Sequence, residues 1–170
     1  EVFVRKLALS YDIPATVERV DVPRARADLR TGEEETARHL RHKFLHQTAA
    51  DLSIDKIALG HTADDRVESL LLNIIRGAGV HGMGSIRPVR GNLVRPLIDT
   101  WRTDIEDYVA AHNLEFRVDS TNIDTTYARN RVRHELLPMI ESGFNPEARR
   151  ALLRLAEIMD SQADYLSNRA

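Results

Sequence analysis

The sequence predicts a mixed α/β fold: a parallel-sheet domain followed by a small, mainly helical subdomain. Strand-like apolar runs and helical periodicity alternate in β-α-β-α order over residues 1–75, which favours a parallel sheet. Helical periodicity then dominates from residue 100 onward. We therefore expect an α/β domain over residues 1–96 and a helical subdomain over residues 97–170.

Composition narrows the functional classes. The chain has 170 residues, 42% of them hydrophobic, which is enough to bury a core. The net charge of -2 gives no overall attraction to nucleic acid, so any RNA-binding surface must be local. No apolar run approaches the ~20 residues of a membrane span. The absence of cysteine excludes disulfides and thiolate metal sites, and it fits a cytoplasmic protein.

Three elements are expected before residue 56. Val2–Tyr11 has the spacing of an amphipathic helix, and the β-branched run Thr16–Val22 favours a strand. Residues 24–30 are polar, charged and without pattern, so we expect them to be mobile. Thr31 and Glu34 have capping-box spacing and predict the start of a long helix that reaches about residue 52.

The next stretch carries the candidate site. Lys56–Gly60 is a short apolar run that ends in glycine, which is typical of a buried strand, and His61 follows at its carboxyl end. Thr62 and Asp65 again have capping-box spacing and predict that a helix begins at residue 63; Gly77 is a natural stop.

Three acidic residues, Asp64, Asp65 and Glu68, fall on the first turn of that helix, beside His61. Acidic residues at a helix N-terminus complement the helix dipole, so a purely structural role explains them. The glycine-ended strand with His61 at its tip favours the alternative, a ligand site, because ligands of open α/β sheets bind at the carboxyl ends of strands.

The remaining elements follow in order. Residues 77–88 are glycine-rich, which permits close backbone approach to a ligand or simply a flexible connector. Val89–Val94 predicts a hairpin, a helix is expected from Thr100, and Leu114–Val118 alternates as a short strand. A turn is expected at Asp119–Asn122.

Two more helices close the chain. In the first, Arg129 and Arg133 share a face, and Val132, Leu136 and Ile140 are expected on the buried side. The second follows Asn145, with an apolar stripe for helix packing made of Leu152, Leu155, Met159, Ala163 and Leu166.

Four motifs carry a family resemblance. Residues 60–68, GHTADDRVE, resemble the G-H-x-x-D-D-x-x-E signature of the tRNA(Ile)-lysidine synthetases, a branch of the PP-loop ATP pyrophosphatases. Residues 37–45 resemble the family's A-R-x-x-R-Y-x-F-L, with His42 in place of tyrosine, and the glycine-rich stretch resembles its R-G-[SA]-G segment. Residues 119–138 resemble D-x-[ST]-N followed by R-N-x-[IV]-R-x-x-[LI]-[LI]-P.

Two departures stand against these matches. Thr62 stands where many members have a second histidine. The S-G-G-x-D-S phosphate loop does not occur, and in the family it precedes a segment like residues 1–5, so we expect an N-terminally incomplete domain.

The resemblance implies that the first domain has a Rossmann-like, adenine nucleotide alpha hydrolase-like fold, and it implies a two-step reaction. ATP, with Mg²⁺, activates the wobble cytidine of isoleucine tRNA as an adenylate, and the ε-amino group of L-lysine then displaces AMP to give lysidine. Catalytic roles would fall on Asp65 and Glu68, which hold and deprotonate the lysine ammonium, and on Arg133, which offsets phosphate charge. Substrate or nucleotide contacts would come from His61, Asp64, Arg38, Arg41, Gly77, Gly79, Arg129 and Asn130. No residue is assigned to a metal.

Two other functions stay open. A different PP-loop tRNA-modifying enzyme, such as a cytidine thiolase, would rely on cysteines, which this chain lacks. A non-catalytic RNA-binding remnant would explain the missing phosphate loop. The expected partners are tRNA(Ile) and L-lysine, with no membrane; the resemblance allows a homodimer.

Overall fold

The protein is described by a computed structural model over residues 1–79, 85–119, 124–167 and 169. It divides into two compact units, Glu1–Ile57 and Ala58–Ala170. The boundary of a helical subdomain expected near Pro96 stays a prediction. Beyond Pro96, the described residues contain helices and no strand.

The first unit contains three helices, α1 (Val2–Ser10), α2 (Val22–Leu29) and α3 (Glu33–Asp51). Helix α2 packs against α3. Helices α1 and α3 confirm the two helices expected in this part of the chain.

Two expectations for the first unit are wrong. Residues 16–21 have no regular structure and are exposed, since no strand of the described residues pairs with them and β-branched residues favour a strand only where a sheet packs against them. The polar residues expected to be mobile instead form α2. Asp21 caps this helix by accepting the Arg24 N–H at 3.0 Å, and Pro23 lies in its first turn.

The expected capping box at the start of α3 is also absent. The N-cap residue is Gly32, without a side-chain cap, and Thr31 instead shares a hydrogen bond of 2.8 Å with the buried Thr36.

A small sheet joins β1 (Ile57–Ala58), β2 (Val89–Arg90) and β3 (Leu93–Val94) in the order β1-β3-β2. Strands β2 and β3 form the expected antiparallel hairpin, in which Val89 faces Val94 and Gly91 adopts a φ of 60° in the turn. The Leu59 N–H donates to the Val94 carbonyl at 2.9 Å. The mixed α/β class is confirmed, but the parallel pair that required a strand at Thr16–Val22 is absent.

Helix α4 (Ala63–Ile75) is the centre of the second unit. Around it lie α5 (Arg102–Ala111), α6 (Ala128–Arg131), a π-helical turn (Val132–Leu136), α7 (Leu137–Gly143) and α8 (Ala148–Ser167). Helix α4 packs against α6, the π-helical turn and α8. This arrangement surrounds the acidic first turn of α4 with helices from the C-terminal half of the chain.

The core of the second unit consists of Val67 and Leu71 from α4 together with Val132 and Leu137. Helix α8 approaches this core along three buried small residues, Ala148, Ala156 and Ala163, with Leu152 and Leu153 packed against the core. The expected stripe on α8 is therefore confirmed except at its end: Leu166 is exposed, whereas the other four residues are buried or half-buried, namely Leu152, Leu155, Met159 and Ala163.

Residues 114–118 do not form the expected strand. They lack regular structure, and the Phe116 and Val118 side chains are exposed, because no strand of the described residues pairs with them. The turn expected at Asp119–Asn122 lies outside the described residues except for Asp119. None of the helices within the described ranges is long and apolar enough to span a bilayer.

Candidate functional site

The first turn of α4 is built as its sequence indicates. One Asp65 oxygen, Oδ2, accepts the Thr62 backbone N–H at 2.7 Å and the Thr62 hydroxyl at 3.2 Å, which fixes the start of the helix. At the other end, Gly77 adopts a φ of 73° and its N–H donates to the Ile74 carbonyl at 2.9 Å. The orientation of the acidic turn is thus set by local sequence.

The candidate site is an arginine–carboxylate centre formed by Asp65, Glu68, Arg129 and Arg133. Arg129 donates through Nε to Glu68 Oε2 at 2.8 Å and through Nη2 to Asp65 Oδ1 at 2.7 Å. Arg133 donates to both Glu68 oxygens, through Nε at 2.6 Å and Nη2 at 3.1 Å. Each arginine therefore holds Glu68 through its Nε edge.

Exposure separates the members of this centre. The Glu68 side chain is 0% exposed, Asp65 16%, Arg133 20% and Arg129 30%. Asp65 and the two guanidinium groups can thus meet a ligand, whereas Glu68 is enclosed and both of its oxygens are already hydrogen-bonded. Glu68 is the buried anchor of the centre.

Charge at the centre keeps Arg133 cationic. Burial acts to lower the pKa of the guanidinium, but the hydrogen bond to Glu68 and the charges of Glu68, Asp65 and Asp64 outweigh it. The result is a pKa raised above the ordinary arginine value. Arg133 is accordingly a permanent positive charge in a partly desolvated position, the kind of group that stabilises negative charge developing on a phosphate.

Asp64 points to a different set of partners. Its Oδ2 accepts the Arg102 N–H at 2.9 Å, and its Oδ1 pairs with Arg149 Nη1 at 3.0 Å. Arg149 also pairs with Glu141 at 2.9 Å. Asp64 therefore joins the N-terminal ends of α4 and α5 to helix α8.

His61 lies between β1 and the first turn of α4. Arg95 donates from Nε to His61 Nδ1 at 3.2 Å and from Nη1 to the Arg87 carbonyl at 2.7 Å. The hairpin thus contributes to the orientation of the imidazole ring.

The remaining expected residues lie at several places. Gly77 and Gly79 are exposed after α4, where a Cβ atom would meet nothing within 4 Å; only Gly77 has the positive φ that requires glycine. Asn130 donates to the Asp124 carbonyl at 2.9 Å, which ties the start of α6 to the preceding loop. Residues 80–84 of the glycine-rich stretch lie outside the described residues.

Arg38 and Arg41 belong to the first unit. Both are exposed on helix α3. His42 and His46 of the same helix stack with ring centroids 6.3 Å apart.

A second charged cluster was not anticipated from the sequence. Arg66, the residue after Asp65, has a side chain only 5% exposed and donates from Nη2 to Asp160 at 3.0 Å, from Nη1 to Asp99 at 2.9 Å and from Nε to the Ser85 hydroxyl at 3.3 Å. The sequence does carry one signal for Arg66: it is the only arginine among the acidic residues at positions 64–68, which favours an ion pair. Nothing local could identify Asp160, which lies 94 residues away.

Comparison with known proteins identifies the family of this chain. Residues 1–140 match the model of the PP-loop domain family. The chain is similar to a protein named tRNA(Ile)-lysidine synthase from Caldanaerobacter subterraneus subsp. tengcongensis, with 37% identity over 96% of this chain and 35% of the relative. Its similarity to the tRNA(Ile)-lysidine synthase of Clostridium acetobutylicum is also 37%, over 100% of this chain and 37% of the relative.

A shorter relative gives the same indication: the tRNA(Ile)-lysidine synthase of Petrotoga mobilis is 32% identical over 99% of this chain and 54% of its own length. The chain spans about a third of the length of the first two relatives. The resemblance stated from the motifs is confirmed, and the chain belongs to the PP-loop domain family.

Proposed function

We propose that the protein containing this chain uses ATP to join L-lysine to the wobble cytidine of isoleucine tRNA. In the first step a cytidine oxygen bonds to the α-phosphorus of ATP and pyrophosphate leaves. In the second, the ε-amino nitrogen bonds to the activated carbon, AMP leaves and the amine loses a proton. The printed names of the relatives support the substrates, and the PP-loop family supports the use of ATP and a Rossmann-like nucleotide-binding domain.

The observation that carries the proposal is the arginine–carboxylate centre. Arg129 and Arg133 hold carboxylates through Nε and Nη2, and among the described residues neither Nη1 has a hydrogen-bond partner. These two Nη1 groups provide donors for phosphate oxygens, and a guanidinium suits phosphate because its charge and donors are fixed in one plane. Arg133 supplies charge stabilisation, and Arg129 binds the nucleotide.

The carboxylates divide their work in this proposal. Asp65 binds the lysine ammonium, because it is partly exposed and a carboxylate oxygen accepts more than one hydrogen bond. Glu68, which we expected to share that contact, is enclosed by two arginines, so we assign it to positioning Arg129 and Arg133. Deprotonation of the ammonium then rests on Asp65 or on solvent at its exposed oxygen.

The described residues contain no preformed Mg²⁺ site. They contain no group of three or more histidine, aspartate or glutamate side chains placed to hold a metal ion, and Asp64, Asp65 and Glu68 are all paired with arginines. The expected Mg²⁺ would therefore bind through ATP phosphates, which is common for this ion. No residue of this chain is assigned to it.

The other expected contacts complete the proposal. His61 shapes the pocket at the strand end, Gly77 and Gly79 follow the acidic helix on the nucleotide side, and Arg38 and Arg41 provide cations for phosphate or RNA. Asp64 and Asn130 orient the elements that carry the centre. Binding of tRNA(Ile), cytoplasmic location and a homodimer remain part of the proposal.

Asp65→Ala provides the test. The purified protein, as expressed from its gene, is incubated with ATP, radiolabelled lysine and an isoleucine tRNA transcript, and label in precipitated RNA is measured. We expect Asp65→Ala to abolish lysine incorporation while tRNA binding in a filter assay persists. The matched control is Asp107→Ala, an exposed aspartate on α5, which should keep the wild-type rate.

Substrate controls address the chemistry. A transcript with uridine at the wobble position should accept no lysine, because it lacks the target base. Wild-type protein that binds the tRNA but incorporates no lysine would refute the ligase and favour an RNA-binding role. Asp65→Ala that loses folding or tRNA affinity would instead favour a structural role for the acidic turn.

A further inference from the structure

A charged network joins helix α8 to the first turn of α4, and its α8 member Asp160 lies beyond the residues matched by the family model, which end at residue 140. We propose that Asp160 on α8 is a positioning residue for the arginine–carboxylate centre and that it acts through Arg66. The proposal rests on the proposed function for its kinetic test and adds a residue that neither the motifs nor the family match assigns.

Asp160 accepts three hydrogen bonds, which come from Ser85 and Arg66. Its Oδ1 accepts the Ser85 N–H at 3.1 Å, and its Oδ2 accepts the Ser85 hydroxyl at 3.1 Å and Arg66 Nη2 at 3.0 Å. Its side chain is 13% exposed. Such a set of partners fixes a carboxylate in one orientation, because each donor constrains a different lone pair.

Arg66 transmits this constraint to the centre. It occupies the same helical turn as Asp65 and Glu68, and its guanidinium binds three segments that are distant in sequence, through Ser85, Asp99 and Asp160. Asp99 is largely exposed, so Asp160 is the enclosed counter-charge of Arg66. Any rotation of this turn that the network allows must also move the carboxylates that hold Arg129 and Arg133.

The apolar contact of α8 with the core of the second unit is made by Leu152 and Leu153. Ion pairs at two points along α8, Arg149 with Asp64 and Asp160 with Arg66, define the register.

Asp160→Asn tests the proposal in the protein as expressed from its gene. The amide keeps the size of the side chain but has no charge to pair with Arg66, and its NH₂ group is a donor where the carboxylate was an acceptor. Rates are measured well below the unfolding temperature of each variant, so that stability alone leaves them unchanged. We expect kcat for lysine incorporation to fall about 100-fold, the loss that misplacement by about 1 Å produces, with the KM for tRNA unchanged.

Asp164→Asn is the matched control. Asp164 lies one turn later on α8 and pairs with Arg87 at the surface. We expect this variant to keep the wild-type kcat. An Asp160→Asn protein that is folded and has wild-type kcat, or an equal loss in both variants, overturns the proposal.

Two further measurements keep the test decisive. Hydrogen exchange of peptides that cover residues 61–68 should become faster in Asp160→Asn and stay unchanged in Asp164→Asn, whether or not lysine is the substrate. Absence of that change overturns the positioning role, while a wild-type protein without lysine incorporation refutes only the proposed function. If Asp160→Asn does not fold, Ser85→Ala removes one hydroxyl of the network and should lower kcat about fivefold; an unchanged kcat overturns the proposal.

Discussion

Replacement of Glu68 by glutamine should destabilise the protein more than any comparable surface change. Glu68 accepts three hydrogen bonds from Arg129 and Arg133 and is fully enclosed. Removing one partner of a buried ion pair costs about 3–5 kcal/mol. Because both arginines keep partial contact with water and Arg129 keeps its bond to Asp65, we expect about 3 kcal/mol.

Thermal unfolding followed by calorimetry measures this effect. For a chain of this size, about 3 kcal/mol lowers the unfolding midpoint by roughly 6–12 °C. The control is Glu135→Gln, the same chemical change at an exposed glutamate that pairs with Arg131 at 3.6 Å, which should shift the midpoint by less than about 2 °C. Equal shifts in the two variants would refute the conclusion that Glu68 is the anchor of the centre, and would return it to the group of residues free to contact lysine.

Three further predictions follow from the site and its surroundings. Arg133→Ala should fold and bind tRNA, but its rate of lysine incorporation should fall at least about 100-fold. Arg131→Ala, on the exposed face, should keep the wild-type rate, and equal rates in the two variants would remove Arg133 from the site. Gly77→Ala should lower the free energy of unfolding by about 1 kcal/mol in urea titrations because its φ is 73°, and an unchanged value would show that the chain relaxes there. The backbone and hydroxyl hydrogen bonds from Thr126 lower the pKa of Asp124 from its ordinary 3.8. Their contribution to stability is therefore present above pH 3.8 and disappears as the pH falls through the lowered pKa. Thr126→Val removes the hydroxyl and should raise the Asp124 pKa in a carboxyl NMR titration; an unchanged pKa would contradict this explanation.

Short-range sequence patterns correctly predicted both ends of α4 and the hairpin turn. The cap at Thr62, the stop at Gly77 and the hairpin turn at Gly91 depend on neighbours within a few residues, and each is confirmed. The common face of Arg129 and Arg133 also follows from helical spacing. That face meets Glu68 across 61 and 65 residues, a pairing that only the order of family motifs suggested.

The failures have one physical cause. Residues 16–22 and 114–118 have the composition of strands, but a strand requires a partner whose identity is not written in the segment itself. The same limit hid Asp160, whose role depends on a helix that packs against α4. The buried side expected after Arg129 is confirmed at Val132 and Leu136, and the structure adds the fully buried Leu137, since the π-helical turn accommodates one extra residue.

That π-helical turn has a consequence for changes in chain length. A π-helical turn holds one residue more than the α-helical turn that it replaces, so loss of one residue between Val132 and Leu137 returns this segment to α-helical geometry. Leu137 would keep its place in the core, and the helix after it would keep its orientation relative to Arg129. A one-residue deletion at the exposed His134 should thus be tolerated far better than a one-residue deletion inside α4, which has no such extra residue.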